Sequence, residues 1–259
     1  MPVFEVPGAE LAVALSDEGG HPVVQLHGLT SSRARDRVLN LDLGRGLSGT
    51  RLLRYDARGH GRSTGRKVPE DYQWQSLAED LLRLLDHWFP GERVHGVGPS
   101  MGAGTLLHAA SREPDRFSGL TLMVPPTAWE TRAAQARSYR VAADLIESAG
   151  VEAFLATTRQ STPPPATVGA PETVPDVADA LLPSLFRGAA LSDLPAPESV
   201  ARIDVPTTIL AWTDDPGHPL STADSLAALL PQATLTVART PGDVETWPGI
   251  LSDDVARRG

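Results

Sequence analysis

The stretch Gly98-Pro99-Ser100-Met101-Gly102 limits what this chain can fold into more than any other. It follows the apolar run Val94-His95-Gly96-Val97 and precedes residues 102–112, which read as a helix. A strand that turns into a helix this quickly has no room for side chains two residues before and two after the serine. Both of those positions are glycine. The turn lifts the Ser100 hydroxyl above the sheet and aims the positive end of the helix dipole at it. The five residues alone are weak evidence of anything, but their place between strand and helix gives them weight.

The rest of the chain repeats that alternation, which is the sequence form of an α/β fold with a mostly parallel sheet. Short apolar runs at residues 23–26, 51–55, 120–124, 207–212 and 234–237 read as strands. Between them, residues 72–89 carry Trp74, Leu77, Leu81, Leu84, Leu85 and Trp88 at steps of three and four, the spacing of an amphipathic helix. Further helices are expected at residues 222–230 and near 244–257. Residues 127–203 interrupt the rhythm with helical stretches at 129–148, 151–158 and 177–186 and the breakers Pro163-Pro164-Pro165. Two units are therefore expected: a core made of residues 1–126 and 204–259, and a helical lid, residues 127–203, inserted between strands. Such a lid would sit at the carboxyl edge of the sheet, where open α/β sheets bind ligands.

Composition removes whole classes of function. With no cysteine, disulfides, thiolate metal sites and a cysteine nucleophile are excluded together. A formal net charge of −9 argues against nucleic acid or an anionic membrane as partner. No apolar run approaches the ~20 residues of a membrane span, and no leader pattern opens the chain, so a cytoplasmic protein is the expectation. Dinucleotide-loop, phosphate-loop and zinc-helix motifs do not occur. No metal or organic cofactor is implied, and the expected partner is a small-molecule substrate. Only Lys67 among the 23 basic residues is lysine, a bias expected of a GC-rich bacterial genome.

Three motifs in order, His27-Gly28, then Tyr55-Asp56-Ala57-Arg58-Gly59-His60-Gly61-Arg62-Ser63, then the Ser100 pentapeptide, resemble the α/β-hydrolase superfamily. The second motif and the stretch from Arg116-Phe117 to Pro125 are similar to its esterase, lyase and peroxidase-like branches. The resemblance covers nearly the whole chain apart from residues 127–203. It implies an eight-stranded, mostly parallel sheet with flanking helices and a helical lid, and it is unspecific for substrate.

The resemblance also implies site residues. Ser100 is the nucleophile, and the backbone N–H groups of Leu29 and Met101 are the expected oxyanion donors. His60 and the His27 ring are expected to be structural. The acid should follow the strand at 207–212, where Trp212-Thr213-Asp214-Asp215-Pro216-Gly217-His218-Pro219 stands. Asp215 is favoured over Asp214 because the acid–proline pair matches the family pattern, and Asp214 is then a solvated carboxylate. The family's histidine should lie after the last strand, but Ala238-Arg239-Thr240-Pro241-Gly242-Asp243-Val244 contains none.

An unassisted serine hydroxyl is a poor nucleophile near neutral pH, so this departure matters. Three accounts stay open. His218, the only histidine after Asp215, serves as base from the acid's own loop, with its ring within roughly 4 Å of Ser100 Oγ. Alternatively, Asp243 or a lid residue serves another reaction. In the third, the protein binds a ligand without turnover, or is a cofactor-free non-hydrolytic biosynthetic enzyme. Trp129, Tyr139, Phe154 and Phe186 are candidates for an apolar pocket, and Arg132, Arg137 and Arg140 are expected to form a solvated face. The function expected is serine-dependent hydrolysis or acyl transfer on a small ester-like or thioester-like substrate.

Overall fold

The computed structural model describes residues 2–159 and 162–257. Residues 160 and 161 of the expected lid lie outside that range. Eight strands form one sheet in the order β1-β2-β4-β3-β5-β6-β7-β8. They are β1 (Val3–Val6), β2 (Ala9–Asp17), β3 (Pro22–Gln25), β4 (Arg51–Tyr55), β5 (Val94–Pro99), β6 (Phe117–Met123), β7 (Thr207–Trp212) and β8 (Ala233–Ala238). β1 pairs antiparallel with β2, and β2 antiparallel with β4; every later pairing is parallel. β1 and β2 are the two strands that the sequence reading does not include, although β2 carries the apolar run Leu11-Ala12-Val13-Ala14-Leu15.

The helices are α1 (Arg33–Val38), α2 (Trp74–Trp88), α3 (Met101–Arg112), α4 (Arg132–Ala149), α5 (Val151–Thr158), α6 (Leu182–Ala190), α7 (Pro197–Val200), α8 (Leu220–Leu229), α9 (Pro241–Glu245) and α10 (Trp247–Ala256). α4 to α7 belong to the segment between β6 and β7. The residues of β3, β5, β6 and β7 are buried throughout, as strands covered on both faces must be. One face carries Trp74, Leu81, Leu85, Leu106 and Leu226 in the main core. The other packs Leu43, Trp247, Leu251 and Val255 against Val23, Val97 and Leu210.

Two boundaries differ from the sequence reading for local reasons. The helix expected at 177–186 starts at Leu182, with Pro183 in its first turn, because Val177 is held in an extended bridge to His60. The helix expected over 244–257 is two helices with Pro248 opening the second. Among the described residues no helix is long and apolar enough to cross a membrane.

The strand order reverses beside β3, which has β4 on one side and β5 on the other. The loops leaving β3 and β5 therefore diverge to opposite faces and open a crevice at the carboxyl ends of the strands. Ser100 stands at that point.

Candidate active site

Ser100 has φ 51° and ψ −110°, a left-handed backbone that a non-glycine residue adopts only when the surrounding structure enforces it. Its N–H donates to Met123 O at 2.9 Å, and its carbonyl accepts from Gly104 N at 3.0 Å. A Cβ on Gly98 would lie 2.9 Å from Leu26 Cβ. One on Gly102 would lie 3.0 Å from the same atom and 3.1 Å from His27 O. Neither glycine can carry a side chain without moving β3. Met101 is the first residue of α3, so its N–H has no partner within the helix.

The loop after β3 passes directly over this turn. A Cβ on Gly28 would sit 3.8 Å from Ser100 Cβ, and Leu29 follows it. Buried His27 sets the loop: Nδ1 donates to Gly28 O at 2.8 Å, while Nε2 accepts from Ala57 N at 2.9 Å. Burial pushes His27 below its usual range, which keeps the ring neutral for both bonds. His60 lies 5.0 Å from it, ring to ring, and is driven down to about 3, first by burial and then by His27. Both histidines act within the scaffold and neither reaches the serine loop as a base. Farther along, Ser31 Oγ donates to buried Asp36, whose carboxyl burial pushes up to about 7.

The loop after β7 supplies what the loop after β8 lacks. His218 Nε2 lies 2.8 Å from Ser100 Oγ, and His218 Nδ1 lies 2.8 Å from Asp215 Oδ2. The first distance falls well inside the 4 Å reach set from sequence. Asp215 Oδ2 also accepts from Trp212 Nε1 at 2.7 Å, and its Oδ1 accepts from Gly217 N at 2.8 Å. Burial alone would raise the Asp215 carboxyl. The hydrogen bond and charge of His218, then the indole and the Gly217 amide, outweigh burial and hold it down at about 2. Asp214 is exposed, with φ 59°.

In the loop after β8, Asp243 has a different task. Its carboxylate accepts from Arg239 N at 2.8 Å and Thr240 N at 2.9 Å, while Thr240 Oγ1 accepts from Asp243 N, a reciprocal cap on α9. This carboxylate therefore serves a helix terminus.

Above the sheet edge, Tyr139, Phe154 and Phe186 join Ile146, Leu182 and Leu29 in a separate apolar cluster. The phenyl rings of Phe154 and Phe186 meet edge-on at 5.2 Å. Trp129 departs from that group. It packs on the main core, and its Nε1 donates to Pro195 O at 3.0 Å.

The solvated face expected of Arg132, Arg137 and Arg140 needs correction. Arg137 and Arg140 are exposed, but Arg132 is only 4% exposed. Five residues turn a helix by about 140°, so Arg132 and Arg137 look in different directions. Its guanidinium donates to Ser192 O, Ala189 O and Thr127 Oγ1 and stacks 4.4 Å over Trp74. Thr127 N in turn donates to Gly217 O at 3.1 Å, tying the start of the inserted segment to the loop of Asp215 and His218. The indole bond of Trp212 and this tie are the features that sequence reasoning missed. A tryptophan three residues before an acid at a strand end was the one visible signal. Among the described residues no group of three or more His, Asp or Glu side chains could hold a metal ion.

Comparison with known proteins agrees with this architecture. Residues 21–144 match the model of the alpha/beta hydrolase fold. The putative carbamate hydrolase RutD of Pseudomonas syringae is 30% identical over 200 residues, covering 74% of this chain and 75% of that protein. The 3-oxoadipate enol-lactonase 2 of Acinetobacter baylyi is 29% identical over 198 residues, covering 72% and 69%. A crystal structure of a hydrolase from Pseudomonas aeruginosa superposes with TM-score 0.77 at 25% identity, covering 99% of this chain and 97% of that one.

Proposed function

The chain belongs to the α/β-hydrolase family, and on that premise we propose that it is a serine-dependent hydrolase of a small ester-like or thioester-like substrate. The observation that carries the reading is the unbroken line from Ser100 Oγ through His218 to Asp215, each step 2.8 Å. Its direction of use follows from elementary chemistry. Ser100 Oγ–H donates to His218 Nε2, and His218 Nδ1–H donates to Asp215. As Oγ bonds to the substrate carbonyl carbon, the hydroxyl proton passes to Nε2, and the imidazolium is stabilised by the Asp215 carboxylate. The carbonyl oxygen takes up negative charge beside the N–H groups of Leu29 and Met101, near the amino end of α3.

Collapse expels the alcohol or thiol, which takes the proton from Nε2 and leaves an acyl ester on Ser100. A water then repeats the sequence: its proton goes to Nε2, its oxygen to the acyl carbon, and Ser100 recovers the proton as the acid product leaves. The segment over residues 127–203 serves as the lid, and its apolar cluster beside Leu29 suits a small acyl or leaving group better than a charged one. RutD and the enol-lactonase are both named for cleavage at a carbonyl centre, which supports the reaction class and leaves the substrate open.

Labelling with a fluorophosphonate probe tests this. The native protein should label at Ser100, and Ser100→Ala should not. An unlabelled native protein would overturn the hydrolase reading and favour a ligand-binding protein of the same fold.

A further inference from the structure

The chain has five tryptophans, and their indole N–H groups meet different fates. Those of Trp74, Trp88 and Trp247 are buried without a hydrogen-bond partner, and that of Trp129 goes to a backbone carbonyl. Trp212 alone donates to a carboxylate, and it donates to Oδ2 of Asp215, the oxygen that also faces His218 Nδ1. We propose that Trp212 is a positioning residue, which aims the acid at the base and restrains how strongly the acid holds the base's proton. The proposal rests on the hydrolase reading given above.

The one-loop arrangement explains why such a residue is needed. Asp215 and His218 start three residues apart, and an aspartate has only two rotatable bonds with which to meet an imidazole on its own loop. Gly217 N holds Oδ1 from the same loop, and the indole is the donor that holds Oδ2 from outside it, so rotation of the carboxylate about its terminal bond is opposed from both ends. The indole can serve as that anchor because its own position is settled by the core. Trp212 ends β7, is 7% exposed, and lies stacked on fully buried Trp247 with ring centroids 6.1 Å apart. Its edge also meets the His218 ring at 87°. One apolar platform with a single polar handle thus touches both members of the pair.

The electronic effect has a definite sign. A donor on Oδ2 draws charge from the oxygen that stabilises the imidazolium, so losing the donor strengthens the hold of Asp215 on a protonated His218. Few other groups compete. Tyr139 of α4, a buried and neutral phenol, feels the charge of Asp215 from another element. Arg132, next to Tyr139, is bonded to carbonyl and hydroxyl oxygens, and Asp214 faces solvent.

The test compares Trp212→Phe, which keeps a stacking ring and loses the donor, with Trp247→Phe, which alters the stack and loses no hydrogen bond. Using p-nitrophenyl acetate, Trp212→Phe should lower kcat about tenfold, the size expected for one hydrogen bond to a charged group, with KM within about twofold. The acid limb of its kcat/KM profile should move up by roughly half a pH unit, while that of Trp247→Phe stays in place. A Trp212→Phe limb that coincides with wild type, or one that both variants move equally, overturns the proposal. Should Trp212→Phe not fold, or the native protein not turn over the ester, the indole resonance of Trp212 in the 15N-labelled native protein decides. It should shift as His218 takes up its proton; an indole signal indifferent to that titration overturns the proposal without reference to catalysis.

Discussion

The loops that leave β7 and β8 stand side by side on one edge of the sheet, and their polar groups are used differently. In the family pattern the first gives an acid and the second a histidine. Here the first holds Asp215 and His218 both, within hydrogen-bonding distance of each other and of Ser100. The second spends its polar groups on capping α9, with Thr240 and Asp243 bonded reciprocally. On the function proposed above, a catalytic arrangement is a set of positions in space, and which loop supplies each group is secondary.

That contrast can be broken most directly at His218. His218→Ala should lower ester turnover on the order of 10⁴–10⁶-fold and abolish fluorophosphonate labelling. Adding Thr240→His to that variant should restore nothing, because the new ring would take the place of the helix cap that Thr240 provides. Recovery of turnover in the double variant would show that the two loops remain interchangeable.

The acid comes next. Asp215→Asn should reduce kcat about 10⁴-fold, whereas Asp214→Asn should leave it within about twofold. Asp215 is held below its ordinary range, so its ionised form favours the folded state above pH 4, and that contribution disappears as pH falls through about 2. In denaturant titrations Asp215→Asn should accordingly be about 2 kcal/mol less stable than wild type at pH 7, with the gap closing towards pH 2. A gap that persists unchanged at pH 2.5 would point to lost packing instead.

Arg132→Met sharpens the comparison from above. It leaves Ser192 O and Ala189 O without their buried donor and frees Thr127, so a loss of about 3 kcal/mol is expected. Because Thr127 is bonded to Gly217, kcat should fall as well. A stable variant with normal kcat would mean that the inserted segment and the β7 loop are independent. The smallest effect is expected at the vacated loop: Thr240→Ala should lower the melting temperature by roughly 2–4 °C, the worth of one helix cap, with turnover unchanged.

Much of this was legible in the residues. The glycines flanking Ser100 dictated the tight turn because its geometry forbids a Cβ, and the buried strands announced themselves as apolar runs. β1 did not, since an edge strand of four residues that is mostly unburied has little apolar signal, and the run Leu11 to Leu15 of β2 was passed over although its centre is buried. Arg132 was misplaced because charge alone says nothing about which way a helix faces. The reach of His218 depended on a turn closed by backbone and side-chain bonds around Gly217, which composition does not encode.

The turn that holds Asp215 and His218 has a consequence for how the site comes together. His218 N donates to Asp215 O at 3.2 Å, so the pair is set by a bond across three residues. Drawing the two groups from positions 215 and 243 would instead close a segment of 28 residues, at a chain-entropy cost greater by about 2 kcal/mol. The mutual placement of Asp215 and His218 is thus a local event in folding, complete once β7 is in the sheet. Only the meeting with Ser100, 118 residues earlier, demands long-range order.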